Sequence, residues 1–173
     1  MELIHTCYRI GDIDRSVEFY EALGFEERRR GRATRRVAAR SRAANVRRMS
    51  QLIHTCYRIG DIDRSVKFYE ALGFEEVGRL PIRDEAINVF MGLPGDGPRL
   101  ELTYNHGVDS YDLGSGYNHI AITAEDLDGT LAKLADQGIE PEKPPYTVRD
   151  GGSRLCFVRD PDGYRIELIE KGA

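Results

Sequence analysis

The chain has 173 residues, 40% of them hydrophobic, and a formal net charge of −4 at pH 7, which suits one domain or two small ones. No apolar run approaches the roughly 18 residues that span a bilayer, and no apolar signal segment follows Met1, so we expect no membrane partner. Three cysteines, an odd number, argue against a disulfide framework and favour a reducing, cytoplasmic setting.

The strongest internal signal is a repeat. The first copy, residues 3–27, reads LIHTCYRIGDIDRSVEFYEALGFEE and returns as the second copy, residues 52–76, with Glu18 replaced by Lys67. Natural structural repeats usually keep only their periodicity, so this near identity is typical of a recent or constructed duplication. We therefore interpret residues 1–27 as a duplicate of the first strand–helix unit of a domain at residues 51–173.

Each copy predicts a strand followed by a helix. In the second copy, residues 53–59 alternate with period two, and His54 lies on the more polar face. Apolar residues at helical spacing then predict a helix that begins at Asp61 or Asp63 and ends at Gly73.

The segment 28–50 separates the copies. It contains ten arginines and no acidic residue. A basic linker on an acidic body can attract nucleic acid, a membrane surface or the body itself. It has no aromatic residue for base stacking and no recognition motif, so we expect no specific nucleic-acid partner. Arginine with alanine favours a solvated helix or a flexible linker.

The remaining elements form two similar halves, at about residues 51–112 and 113–173. The pattern predicts a helix that begins at Asp126 and ends by Gly138, with a tight turn at 160–163. It predicts further strands at residues 86–91, 101–105, 119–123, 155–158 and 164–169. Strand, helix, strand, strand therefore occurs twice, which predicts an α+β fold.

Each half places a histidine in its first strand and a glutamate in its last. These are His54 and Glu101 in the first half, and His119 and Glu167 in the second. Taken singly, each is better explained as a rim carboxylate or a hydrogen-bonded histidine. If the halves fold alike and pair, two imidazoles and two carboxylates converge, a donor set that suits Ni²⁺, Co²⁺, Zn²⁺, Mn²⁺ or Fe²⁺. Six-coordinate geometry would leave two positions for water or substrate.

Three runs carry a resemblance to a known family. They are HTCYRIGDIDRSVKFYEALGF, ELTYNHGVDSYDLGSGYNHIAI and FVRDPDGYRIELIE. Together they resemble glyoxalase I (lactoylglutathione lyase) of the vicinal oxygen chelate superfamily, over essentially all of residues 51–173. The resemblance implies two βαβββ modules that form a curved sheet around a metal site, here preceded by the duplicated strand–helix segment. It places the metal ligands at His54, Glu101, His119 and Glu167, and glutathione contacts at Arg58 and Asn105.

The resemblance also implies a reaction. The hemithioacetal of methylglyoxal and a thiol, glutathione in this family, is isomerised through an enediolate to S-lactoylglutathione. Glu167 is the first choice of base and Glu101 the second. The compact segment between Tyr69 and Glu101 is similar to the nickel- or cobalt-activated enzymes, with Zn²⁺ as an alternative. A homodimer is implied, with or without a swapped segment, and with the active site at its interface. Pairing of the two halves within one chain is the alternative.

The sequence departs from the family pattern at one position that concerns the thiol carrier. Some members have an arginine four residues before the second histidine, and this chain has Ser115 there. Arg149 or Lys143 are the candidates to replace it. Three other functions of the superfamily stay open, namely an iron-dependent ring-cleaving dioxygenase, an epimerase and a metal-free small-molecule-binding module.

The duplication leaves two candidates for one ligand position, His5 and His54. The second copy joins the next strand through a short link, whereas the first copy must span the linker and the second copy. Loops that differ about tenfold in length differ by about 2 kcal/mol in closure free energy. We therefore expect His54 to be the ligand and residues 1–50 to be a weakly held appendage.

Overall fold

The computed structural model describes residues 3–27, 53–95 and 97–172. The chain divides into two compact units, which we call the main unit (Met1–Arg9 with Ile53–Ala173) and the minor unit (Ile10–Leu52). The division passes through the first copy, so that its strand belongs to the main unit and its helix to the minor unit. No helix in the described ranges is long and apolar enough to cross a membrane.

The elements follow one another in a repeated order. They are β1 (Leu3–Tyr8), α1 (Ile13–Ala22), β2 (Thr55–Ile59), α2 (Ile62–Ala71), β3 (Glu75–Ile82), β4 (Ala86–Gly92), β5 (Pro98–Asn105), β6 (Tyr117–Ala124), α3 (Leu127–Ala135), β7 (Tyr146–Thr147), β8 (Arg154–Arg159) and β9 (Arg165–Glu170). From β2 onward this is βαβββ twice, which confirms the predicted α+β class and the two modules.

The two modules have the same strand order. The first forms a four-stranded sheet, β2-β5-β4-β3, in which β2 is parallel to β5. The second forms the order β6-β9-β8-β7, in which β6 is parallel to β9. In each module the first strand therefore lies beside the last, so the histidine strand and the glutamate strand are neighbours.

The second sheet has a fifth strand, which comes from the first copy. β1 pairs antiparallel with β6, with His5 opposite Ala121 and Cys7 opposite His119. In the second copy the counterparts of Thr6, Cys7 and Tyr8 lie in β2, beside β5. One sequence therefore occupies the edges of two different sheets.

Helix ends follow the predicted capping. Asp61 accepts a hydrogen bond from the backbone N–H of Arg64, and Asp126 accepts one from Gly129. Past the end of α2, Gly73 adopts a φ of 85°, where a side chain would be strained. These contacts satisfy backbone N–H groups that have no partner within the helix.

The core of the main unit is built on the second copy. The side chains of Tyr69 and Leu72 are fully buried, whereas their counterparts Tyr20 and Leu23 are 43% and 46% exposed. Helix α1 has no buried residue. The two helices have nearly the same sequence, so the difference lies in their surroundings.

The three thiols are free, in agreement with the expectation of no disulfide framework. Cys156 is buried, Cys7 is partly buried and Cys56 is exposed. Burial raises the pKa of the Cys156 thiol to about 11, which keeps it protonated at neutral pH.

Candidate active site

The first pair of functional side chains lies where β2 begins. His54 directly precedes β2, and Cys56, two residues further, pairs with Glu101 of β5. This register brings Nε2 of His54 to 3.2 Å from Oε2 of Glu101. The two predicted ligands of the first module therefore face each other.

Hydrogen bonds from neighbouring strands hold the carboxylate of Glu101. Nδ2 of Asn88 on β4 donates to Oε1 over 3.1 Å, and the hydroxyl of Thr103 lies 3.2 Å from the same oxygen. Because both contacts use Oε1, the other oxygen stays directed at His54. The sequence analysis did not identify Asn88, since its role depends on the register that sets it opposite Thr103.

The second pair is formed by His119 of β6 and Glu167 of β9. Nε2 of His119 lies 3.1 Å from Oε2 of Glu167, and both residues are buried. Burial raises the pKa of Glu167. Burial, together with the charges of His5 and Arg165, lowers the pKa of His119 to about 4. The imidazole is therefore neutral at pH 7, as a metal ligand must be.

Asn118 orients the ring of His119. Its Oδ1 lies 3.2 Å from Nδ1 of the imidazole and accepts a hydrogen bond of 3.1 Å from Arg165. An oxygen acceptor at Nδ1 favours the tautomer with its proton there, which leaves the lone pair of Nε2 directed at Glu167. The sequence analysis also missed Asn118, although its position directly before the histidine is a usable signal.

An aromatic ring flanks each pair. Phe90 lies opposite Glu101, and Phe157 lies opposite Glu167. Each packs edge-on near the histidine of its own pair, with ring centroids 6.4 and 5.3 Å apart. The two modules therefore repeat the surroundings of the ligands as well as the ligands.

A third imidazole joins the second pair. Nε2 of His5 lies 3.3 Å from Nε2 of His119 and 3.8 Å from Oε2 of Glu167. In the described part of the chain, these three form the one group of at least three possible ligands with all atoms within 4.8 Å. The structure thus brings His5, rather than His54, to His119 and Glu167.

The donor atoms fit a divalent transition metal. Such ions hold imidazole nitrogen and carboxylate oxygen at about 2.0–2.2 Å, so neighbouring ligands on one ion lie about 3.0–3.5 Å apart. The separations of 3.1 and 3.3 Å at His119, and 3.2 Å in the His54–Glu101 pair, match that range, and the 3.8 Å between His5 and Glu167 lies just above it. A set of nitrogen and oxygen donors without thiolate suits a catalytic ion.

The predicted substrate contacts meet at Tyr111. Nδ2 of Asn105 donates to its hydroxyl over 2.8 Å, and the guanidinium carbon of Arg58 lies 5.9 Å from its ring centre. Arg58 and Tyr111 line a cleft of about 280 Å³, next to Cys56. Arg149, the third predicted contact, lies in the exposed segment between β7 and β8.

A cation does lie beside Ser115. The guanidinium of Arg9 donates to the main-chain oxygen of Ser115 over 2.9 Å. Arg9 is the first-copy counterpart of Arg58. Arg149 and Lys143 were the candidates from sequence for this place. Arg9 was not among them, because nothing in the sequence indicates which strand lies beside β6.

Comparison with known proteins gives the family. A family model described as the glyoxalase/bleomycin resistance protein/dioxygenase superfamily matches residues 51–168. The chain belongs to this superfamily. The resemblance to glyoxalase I is confirmed by its relatives. A lactoylglutathione lyase of Arabidopsis thaliana is 40% identical over 98% of this chain, and one of Escherichia coli O157:H7 is 36% identical over 99% of it.

The coverage of these superfamily relatives differs. The chain spans 44% of the Arabidopsis protein but 93% of the Escherichia coli protein. Solved structures agree on the fold. Glyoxalase I from Zea mays has a TM-score of 0.64 at 36% identity, covering 71% of this chain and 45% of the maize chain. A trypanothione-dependent glyoxalase I from Leishmania major has a TM-score of 0.60 at 38% identity, covering 70% and 86%.

Proposed function

We propose that the protein is a metal-dependent lactoylglutathione lyase. It would isomerise the hemithioacetal of methylglyoxal and a thiol, with glutathione as the first candidate, to S-lactoylglutathione, and so detoxify methylglyoxal. The observation that carries the proposal is the repeated histidine–glutamate pair, with separations of 3.2 and 3.1 Å. The names of the relatives support the same reaction.

The reaction is a proton transfer between neighbouring carbons, with no net oxidation. A carboxylate takes the proton from the carbon that bears sulfur, and its electron pair forms the enediolate double bond. A proton returns to the adjacent carbon, the hydroxyl proton of the sulfur-bearing carbon passes to the former ketone oxygen, and the thioester of a 2-hydroxy acid results. A divalent metal ion, when bound, supplies positive charge that stabilises the enediolate.

Glu167 is the proposed base, and Glu101 is the alternative. Glu167 is buried beside apolar strands, so water competes little for its carboxylate. Glu101 receives hydrogen bonds from Asn88 and Thr103, which fix the orientation of its carboxylate toward His54 and make it the second choice. Arg58, which lines the cleft, and Asn105, which donates to the hydroxyl of Tyr111, would bind the carboxylate end of a thiol carrier.

The metal and the assembly complete the proposal. We favour Ni²⁺ or Co²⁺ over Zn²⁺, as the resemblance to compact enzymes implies. Within one chain His54 and Glu101 lie outside the group formed at His119 and Glu167. A site with all four ligands therefore needs the first pair of one copy to meet the second pair of another, and we propose a homodimer.

Replacing Glu167 tests the role of the base. The protein is loaded separately with Ni²⁺, Co²⁺ and Zn²⁺, and each form is mixed with methylglyoxal and one of a panel of thiols that includes glutathione and trypanothione. Thioester should form with at least one combination of metal and thiol. Glu167→Gln should lower kcat by about 100-fold or more, because a positioned base contributes 10²–10⁴-fold. Glu140→Gln, at an exposed position, is the matched control.

Two outcomes would contradict this proposal. If Glu167→Gln keeps more than about a tenth of kcat, a barrier change below roughly 1.4 kcal/mol, the base lies elsewhere and Glu101→Gln is the next variant. If no thiol gives thioester with any metal, the protein is not a lactoylglutathione lyase.

A second function is favoured by one specific observation. The group of His5, His119 and Glu167 has two histidines and one carboxylate, the ligand set of many non-haem iron oxygenases. Oxygen consumption by the Fe²⁺-loaded protein with a catechol would support a ring-cleaving dioxygenase. Thioester formation without oxygen consumption would exclude it.

A further inference from the structure

We propose that His5 is a metal ligand, and that β1, β6 and β9 of a single chain form a complete three-ligand site for a divalent transition metal. The site shares His119 and Glu167 with the proposed active site and in this sense rests on the proposed function. It does not depend on the reaction, however, because metal binding can be measured without turnover.

Strand register explains why the three ligands meet. His5 on β1 lies opposite Ala121 on β6, and Ala121 lies opposite Glu167 on β9, so the three residues form a row across the sheet. His119 is two residues before Ala121 and shares its face. Ala121 is fully buried and carries only a methyl group, so the longer side chains on either side can approach each other above it.

Contacts along β1 fix His5 in this place. The hydroxyl of Thr6 is hydrogen-bonded to that of Thr55 over 2.8 Å, which ties β1 to β2. The ring of Tyr8 packs edge-on against Tyr117, with centroids 5.8 Å apart. With the β1–β6 ladder and the bond from Arg9 to Ser115, these contacts hold the strand on both sides of the histidine.

The group has two imidazoles and one carboxylate, and it lacks the second carboxylate that Glu101 would add to a four-ligand site. A six-coordinate ion bound there keeps three positions for water or a chelating oxygen ligand, and a tetrahedral one keeps one. The His54–Glu101 pair offers only two donors in the same chain. The three-ligand group is therefore the stronger single-chain site.

The duplication provides a matched pair of variants. His5→Ala and His54→Ala remove the same side chain from the same local sequence, but from different places in the fold. Titration of the full-length protein with Co²⁺, followed by the visible absorption of the bound ion and by calorimetry, gives Kd and stoichiometry. We expect His5→Ala to raise Kd about 100-fold or more, and by more than His54→Ala does; His106→Ala, at an exposed histidine outside both pairs, should change it less than about threefold.

Two further variants test the geometry. His119→Ala should abolish the site. Ala121→Leu should weaken Co²⁺ binding without removing a ligand, because its side chain fills the space between His5 and Glu167. Circular dichroism and thermal unfolding without metal identify any variant that fails to fold, and His5→Gln then replaces His5→Ala.

Each remaining outcome decides the proposal. Binding weakened by His54→Ala but not by His5→Ala would overturn it, as would equal weakening by both or by neither. A protein that binds one Co²⁺ through His5 but makes no thioester would support the metal site and refute the proposed function.

Discussion

Arg58 and Arg9 occupy equivalent positions in the two copies, yet they lie against different surfaces. Arg58 lies near Tyr111 on the cleft, whereas Arg9 donates to the main chain at Ser115. A guanidinium can hold a carboxylate through two parallel hydrogen bonds, which is the interaction that a glutathione-like carrier requires. Either arginine could bind a carboxylate in this way, and only their surroundings differ.

We predict that Arg58→Ala raises KM for the glutathione hemithioacetal by about 10- to 100-fold with little change in kcat, since a charge-assisted contact remote from the reacting carbons contributes uniform binding. Steady-state kinetics measures this, and a hemithioacetal of a thiol without a carboxylate should show no such difference. Arg9→Ala is the matched control. If Arg9→Ala raised KM more than Arg58→Ala, the carboxylate would instead bind at Arg9, beside Ser115.

At the residue scale, the sequence indicated the paired histidines and glutamates but not the side chains that contact them. His54, Glu101, His119 and Glu167 stand out because their type and position repeat between the halves. The contributions of Asn88 and Thr103 depend on which residues lie opposite each other across β4 and β5. Register is set by packing of the whole sheet, so local pattern did not reveal it.

Among the elements, α1 and α2 show how far surroundings outweigh sequence. They share nine of ten residues, and only Glu18 differs, from Lys67. Four residues of α2 are buried, whereas no residue of α1 is buried. Both helices therefore form from the same local preferences, and only one contributes to the core.

This contrast predicts that the same substitution lowers the free energy of unfolding more in α2 than in α1. Leu72→Ala should lower the free energy of unfolding by about 2–5 kcal/mol, because it removes a fully buried side chain. Leu23→Ala, at the counterpart that is 46% exposed, should change it by less than about 0.5 kcal/mol. Urea unfolding of both variants measures the difference. Equal losses would mean that the two helices exchange places in solution.

The elements that the sequence missed are edge strands. The residue pattern indicated neither β3 nor β7, although both lie at sheet edges in the structure. β3 contains Gly78 and Pro81, which weaken a strand signal, and its side chains are mostly exposed. Seven of its residues pair with residues of β4, and this pairing stabilises the strand where local propensity does not.

Across the whole main unit, Asp160 links the two modules. It is buried after β8, where it accepts hydrogen bonds from the hydroxyl of Tyr69 on α2 and from the backbone N–H groups of Asp162 and Tyr164. Burial nevertheless raises its pKa to about 6, since the hydrogen bonds only partly offset the loss of water around the charge.

The raised pKa gives stability a definite dependence on pH. An unfolded aspartate has a pKa of about 3.9, so between roughly pH 4 and pH 6 the folded state binds more protons, and stability falls as pH rises. Asp160→Asn removes this dependence. Relative to the variant, the free energy of unfolding of the unmodified protein should fall by on the order of 3 kcal/mol across that interval. Urea unfolding at several pH values measures it, and a constant difference would contradict the argument.

The position of β1 has a consequence for how copies of the chain meet. The edge of β6 accepts β1, and in the homodimer that we propose the second copy of another chain would bring His54 and Glu101 to the same edge. The two strands thus compete for one edge, and the internal one is tethered. A tethered strand acts at an effective concentration on the order of millimolar, about a thousandfold above a partner present at micromolar concentration. At equal intrinsic affinity, the internal strand then holds the edge in all but about one chain in a thousand, a bias of about 4 kcal/mol. If copies pair as proposed, the duplication makes the chain a competitive inhibitor of its own assembly.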